Sequence, residues 1–172
     1  MKIEGEKIYL APFTKEYAAD WVRWTQDEDV IRYSVMRTYT LEEELKFCEE
    51  REKNPDPDEC FCIFIKENDK LIGTCGLHRH NDDGDFGNEF SAGLVIGEKD
   101  EWGKGYGTDA MKTLLKYTKD TYGSRPVYLT VDIPNIPAQT VYEKCGFKVV
   151  KKRKDEKRVN SGGEHYIMKA EL

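Results

Sequence analysis

The sequence predicts an α+β fold, with one mixed, mostly antiparallel central sheet flanked by helices. Three observations carry that prediction. Between residues 60 and 96, three apolar runs are separated by short turn clusters, as in a meander of antiparallel strands. Beyond residue 96 the pattern changes to helix, strand, helix and strand, which places helices on the faces of the sheet. No repeat, low-complexity linker or composition break divides the 172 residues, so residues 1–172 are expected to form a single domain with one buried core.

Taken in order, the first strand is read at Lys7 to Ala11, closed by Pro12. Thr14 can cap a helix with Tyr17, Ala18, Trp21 and Val22 on its apolar face. Thr40 followed by Glu43 has the spacing of a capping box and opens a second helix, with Leu41, Leu45 and Cys48 on one side. The segment between them, Asp27 to Tyr39, is irregular. Asn54 to Asp58 is a turn cluster, and Cys60 to Ile65 is a continuous apolar run that suits a central strand. Asn68-Asp69 turns the chain into a strand at Leu71 to His80, and Asn81 to Asp85 into another at Phe90 to Ile96. A helix from about Gly107 to Thr121 buries Ala110, Met111, Leu114, Leu115 and Thr118. Val127 to Val131 is a buried strand. Ala138, Val141, Tyr142 and Cys145 mark the inner stripe of a short helix stopped by Gly146. Phe147 to Val150 and His165 to Met168 complete the sheet.

Composition excludes several classes. Hydrophobic residues make up 38% and aromatic residues 12%, which argues against global disorder. The net charge of −6 argues against general nucleic-acid binding, so no nucleic-acid partner is expected, and it mildly favours cationic acceptors. Five cysteines, odd in number and without a CxxC pair, read as reduced thiols in a cytoplasmic protein. Residues 1–7 show no apolar signal region and no stretch has the ~20 apolar residues of a membrane span, so no membrane association is expected.

The segment Trp102-Gly103-Lys104-Gly105-Tyr106-Gly107-Thr108 carries the chemistry. It lies between a strand and a helix, where glycines let the backbone approach a ligand closely and free N–H groups converge on one spot. The helix dipole adds partial positive charge, and Lys104 contributes a mobile cation. The expected ligand is a phosphate or pyrophosphate. A Walker A loop fails, because Lys104 is followed by Gly105 and Glu98 stands five positions before Gly103. A GxGxxG dinucleotide fingerprint fails at Thr108.

This segment resembles motif A of the GNAT (Gcn5-related N-acetyltransferase) superfamily, a Gln/Arg-x-x-Gly-x-Gly/Ala pattern. Trp102 stands where that family usually has Gln or Arg. The wording of the loop, with Val95-Ile96-Gly97-Glu98-Lys99 upstream, is similar to the branch of ribosomal-protein N-terminal acetyltransferases. Downstream, Asn135-x-x-Ala138-x-x-x-Tyr142-Glu143-Lys144-Cys145-Gly146-Phe147 resembles the family's Asn-x-x-Ala…Tyr-Glu-Lys-x-Gly-Phe segment.

The resemblance implies a three-layer α/β/α arrangement and acetyl-CoA as acetyl-donor cosubstrate, with no metal. It implies transfer to a primary amine, on a protein N-terminus or a small molecule, by direct attack in a ternary complex. The end of the Phe90–Gly97 strand is then expected to pair with the pantetheine arm through Val95 and Gly97, while a main-chain N–H near Ile96 polarises the carbonyl. Tyr142 would protonate the departing thiolate, and Asn135 would cap its helix, bind CoA, or both. The family's common strand glutamate falls on Ser91, which cannot act unaided. Glu89, two residues earlier on the same strand face, is the candidate base, acting through a water. A non-catalytic acyl-CoA-binding sensor is the alternative, and either a monomer or a homodimer is compatible with the sequence.

Other constellations read as structural. His78 and His80 alternate on a polar strand face without a convincing third ligand. Asp82 to Asp85 lacks the ligand order of an EF-hand. Lys151 to Arg158 is mixed in sign and reads as a solvated hairpin. Cys145 falls on a buried stripe, which disfavours it as a nucleophile.

Overall fold

A continuous eight-stranded sheet forms the centre of the molecule. The structure, a computed structural model, describes every residue except 35–36, 54–57, 81–83 and 159–161. The strands are β1 (Ile3–Glu4), β2 (Ile8–Pro12), β3 (Glu59–Ile65), β4 (Leu71–Arg79), β5 (Phe90–Ile96), β6 (Pro126–Asp132), β7 (Lys148–Lys154) and β8 (Glu164–Glu171). Their spatial order is β1-β2-β3-β4-β5-β6-β8-β7. The helices are α1 (Ala18–Thr25), α2 (Glu28–Ile31), α3 (Leu41–Lys53), α4 (Tyr106–Tyr122) and α5 (Ile136–Lys144). The expected mostly antiparallel sheet, with helices on it, is the observed arrangement.

Side-chain alternation assigns the two faces. Phe90 and Ala92 of β5 join Val127 and Leu129 of β6 beneath Met111, Leu114 and Leu115 of α4 and Tyr142 of α5 in the main core. The opposite face buries Tyr9, Cys62 and Phe64 against Tyr17, and the Trp24 indole of α1 is 2% exposed. Helices therefore cover both faces.

Among the described residues, β5 and β6 form the one parallel pair, since α4 carries the chain across the sheet between them. They pair only at Phe90↔Val127 and Ser91↔Tyr128, and after Ser91 they part. This parting positions the site described below.

Most elements fall where the sequence places them, and the capping box forms. Thr40 N–H donates to the Glu43 carboxylate at 2.8 Å, and Glu43 N–H donates to Thr40 Oγ1 at 3.2 Å. Four readings change. The two-residue β1 is too short to leave a sequence pattern. Thr14 makes no side-chain cap; a 3-10 turn over Lys15–Tyr17 precedes α1. In α3 the buried residues are Glu44 and Cys48, whereas Leu41 and Leu45 are 44% and 36% exposed, because the helix presents a neighbouring stripe to the protein. A short helix, α2, capped by Asp27 stands within the stretch read as irregular, while Lys151 to Lys154 form the exposed edge-strand arm, β7, of the expected solvated hairpin with β8. Lysines suit such an edge because they discourage strand pairing with another chain. The turn clusters at 54–57 and 81–83 lie outside the described residues.

Candidate functional site

The glycine loop closes the open end of the β5–β6 parting. Gly103 and Gly105 have φ of 75° and 85°, a left-handed conformation that suits glycine. A Cβ at Gly103 would meet nothing within 4 Å, and one at Gly105 would meet only Lys7 Nζ at 3.8 Å. The cradle is thus open on its outer side. Gly105 is the N-cap of α4 and supplies no capping side chain, so the first-turn N–H groups of α4, lacking carbonyls four residues back, remain available to an anion. A Cβ at Gly107 would sit 3.5 Å from Leu94, 3.7 Å from Ile96 and 4.0 Å from Val141. Gly107 therefore brings together the helix, the end of β5 and α5.

The cation at this cradle differs from the expected one. Lys104 is ion-paired to Glu101 at 2.9 Å, and Lys70 reaches the same carboxylate at 2.7 Å. Those two ammonium groups hold the Glu101 carboxyl below the usual carboxylate range. Lys7 is the ammonium that reaches Gly105, and its backbone is fixed by the cradle helix itself. Asp109, in the first turn of α4, accepts hydrogen bonds from the N–H groups of Glu6 (3.0 Å), Lys7 (2.6 Å) and Ile8 (3.0 Å). Sequence reading missed Lys7 because more than 100 positions separate it from Asp109.

Trp102, in the family's Gln/Arg position, turns its indole N–H onto the Ile96 carbonyl at 2.8 Å. It ties the loop to the last residue of β5. Tyr106 lies beside Lys7, Lys66 and Ile65 at the rim of the cradle. Thr108 offers its carbonyl to the Cys145 thiol at 3.6 Å, and burial pushes that thiol up to about 11.

Along β5 the peptide groups alternate in direction. Gly97 N–H donates to the Ile72 carbonyl at 2.8 Å, and the Glu89 carbonyl accepts from His80 N–H at 3.2 Å. Odd-numbered peptide groups therefore point to β4, and those of Ala92, Leu94 and Ile96 point to the parting. This corrects the expectation for Val95 and Gly97, whose backbone groups face β4. Gly97 answers a packing demand instead, since a Cβ there would lie 2.1 Å from the Trp24 indole. Trp24 Nε1 donates to Glu98 at 2.9 Å, and Arg23 also pairs with Glu98, so α1 is pinned to the end of β5.

On the other wall, Tyr142 stands in the core beside Phe147, with ring centroids 6.0 Å apart. Burial pushes its phenol up to about 12 and keeps it protonated. Asn135 caps α5, its side-chain oxygen accepting from Ala138 N–H at 3.3 Å. Glu89 lies before β5, at the closed end of the parting, and its carboxylate is 3.2 Å from Arg125 Nε. That pairing engages the group expected to act as base. Ser91 instead makes a hydrogen bond between its Oγ and His80 Nε2 at 2.8 Å. His78 turns away, with Nδ1 2.7 Å from Asp58. The two histidines thus have separate partners, and no cluster of three or more potential metal ligands occurs among the described residues.

A mixed sheet whose central parallel pair splays, with a glycine cradle and helix N-terminus at the open end, defines an anion-anchored cleft for an extended ligand. The GNAT acetyltransferase domain model matches residues 7–148, and the chain belongs to that family. It is 40% identical over 68 residues to an N-alpha-acetyltransferase of Sulfolobus acidocaldarius, a match covering 40% of this chain and 39% of that protein. A GNAT-family acetyltransferase from Bacillus anthracis superposes with a TM-score of 0.81 at 21% identity, covering 99% of this chain and 98% of that one. Spermidine N-acetyltransferase from Vibrio cholerae, solved with CoA and spermine, superposes with a TM-score of 0.80 at 17% identity, covering 96% and 95%. At those identities the two structures share the fold. Among the described residues, no helix is long and apolar enough to cross a membrane.

Proposed function

We propose that the protein transfers the acetyl group of acetyl-CoA to a primary amine, on a protein N-terminus or a small molecule, by direct attack in a ternary complex. The observation that carries this reading is the parting of β5 from β6 after Ser91, with the open glycine cradle at its mouth. The cradle suits a pyrophosphate. Gly103, Lys104, Gly105, Tyr106 and Gly107 would hold it chiefly through main-chain N–H groups, and Lys7 would add the charge. The even-numbered peptide groups of β5 would pair with the amides of the pantetheine arm as a missing strand would.

Chemistry follows from the same frame. An N–H of β5 that faces the parting, that of Leu94 toward the Ser91 end of the arm rather than that of Ile96 on the cradle side, would polarise the thioester carbonyl, a donor typically worth about 3 kcal/mol of barrier. The amine nitrogen attacks the carbonyl carbon and the carbon–sulfur bond breaks. Tyr142, kept protonated by burial on the α5 wall, would donate a proton to the departing thiolate, a contribution of typically ~10²–10⁴-fold. A protein N-terminus as acceptor is supported by the N-alpha-acetyltransferase relative, and a small amine by the spermine-bound structure.

The test is CoA release from acetyl-CoA with a panel of free-N-terminus peptides, spermidine and aminoglycosides. Saturable turnover with one acceptor class is expected. Tight acetyl-CoA binding without turnover of any acceptor would replace the enzyme by an acyl-CoA sensor.

A further inference from the structure

Resting on the acetyltransferase reading, we propose that His80, acting through Ser91, removes the proton from the acceptor ammonium. Ser91 is the last residue of β5 paired with β6, so it stands at the vertex of the parting. From Ile96 back to Ser91 is five residues, roughly 17 Å at strand rise. An arm anchored at the glycine cradle and running along β5 ends beside that vertex. The Ser91 side chain leaves the sheet on the face opposite α4, together with Gly93 and Val95. A Cβ at Gly93 would meet nothing within 4 Å. An amine can therefore reach the vertex over Gly93, next to Ser91 on the same face.

His80 is held for this task from two sides. Its Nε2 is 2.8 Å from Ser91 Oγ, and the Phe86 ring packs edge-on at a centroid distance of 4.7 Å. Imidazole is the side chain whose ordinary titration spans neutrality, whereas a serine hydroxyl does not accept a proton on its own. With the ring proton on Nδ1, Nε2 accepts the Ser91 hydroxyl proton while Ser91 Oγ takes one from the ammonium. The freed lone pair attacks the thioester carbon. The nitrogen's second proton compensates the one Tyr142 gives to sulfur. One proton per turnover leaves through His80.

The charged groups facing His80 have partners of their own, and the Asp155 carboxylate accepts from Lys157 N–H at 2.9 Å. A cavity of about 340 Å³ on this face is lined by His80, Asp85, Asp155, Arg158 and His165. Asp85 is forked by Lys151 and Arg153, which hold its carboxyl well below the usual range. Arg158 pairs with Asp132 and also bonds Thr130 Oγ1. His165 Nδ1 is 3.4 Å from the Gly163 carbonyl. Glu89, below, is paired with Arg125. His80 is the group among these that touches Ser91.

The test measures kcat/KM against pH for His80→Gln, Ser91→Ala and His78→Gln, with acetyl-CoA and either spermidine or a peptide with a free N-terminus. Acetyl-CoA affinity, by thermal shift, reports on folding and on the cradle. His80→Gln is expected to lose about 10²–10³-fold in kcat/KM for the amine, to lose the acid limb of the profile, and to regain rate with added imidazole. Ser91→Ala is expected to show a smaller loss with the acid limb retained. His78→Gln is expected to behave as wild type. A wild-type profile in His80→Gln, or loss of the limb in His78→Gln, overturns the assignment while leaving the acetyltransferase reading intact. Absence of turnover by the wild-type protein with every acceptor overturns both.

Discussion

At the residue scale, two positions separate coenzyme binding from chemistry. Tyr142→Phe removes one hydroxyl from a buried ring and leaves the cradle untouched. It is expected to lower kcat by about 10²-fold while acetyl-CoA affinity is preserved, measured by steady-state rates and thermal shift. The sign of its pH dependence follows from burial, which disfavours the phenolate and raises Tyr142 from 10 to about 12. Tyr142 therefore retains its proton through pH 10. Between about pH 10 and 12 the native chain binds more protons here than the unfolded chain does, so this residue's contribution to stability falls as pH rises through that window. A kcat that fell as pH rose to about 9 in wild type but not in Tyr142→Phe would assign this phenol a lower pKa than its burial gives. Lys7 is the complementary case. Lys7→Glu is expected to raise the acetyl-CoA dissociation constant at least tenfold at low salt, with the difference shrinking as ionic strength rises and screens the phosphates.

At the element scale, the first turn of α4 does two jobs. Its N–H groups form the floor of the cradle, and Asp109 clamps the three N–H groups of the turn into β2 that carries Lys7. Asp109→Ala leaves those donors to water and is expected to cost about 1–3 kcal/mol in urea unfolding, together with weaker acetyl-CoA binding. Gly105→Glu acts on the cradle alone: it forces a side chain onto a φ of 85° and sets a carboxylate where the proposed reading puts the phosphates. Loss of all acetyl-CoA-induced thermal stabilisation is expected, and unchanged stabilisation would refute the loop assignment.

At the scale of the whole molecule, the sheet is complete except where β5 and β6 part, and in the proposed reading a ligand there would serve as a strand. Acetyl-CoA at 100 times its dissociation constant is expected to stabilise the fold by about 2.7 kcal/mol, raising Tm by roughly 5–10 °C. Hydrogen exchange should slow at the N–H groups of Leu94 and Ile96, which face the parting, more than at those of Val95 and Gly97, which face β4. Equal slowing at both sets would contradict the peptide alternation read from Gly97 and Glu89.

Local patterns in the chain determined a great deal. The apolar run of β3, the Thr40–Glu43 capping box, the helical stripe of α4 and the alternating glycines of the cradle all act through neighbours a few positions apart. They were legible for that reason, and so were the family motifs. Tertiary structure alone decided which way each group turns and what it meets. Lys104 carries a cation in the loop, but Glu101 takes it, and Lys7 arrives from the far end of the chain. Val95 and Gly97 lie on the right strand, but hydrogen-bond alternation turns their peptide groups to β4. Glu89 is engaged by Arg125, while His80, visible in the sequence only as a strand-face histidine, meets Ser91 across the sheet. Sequence spacing sets what a segment can become. Register and long-range pairing set which of its groups are free to act.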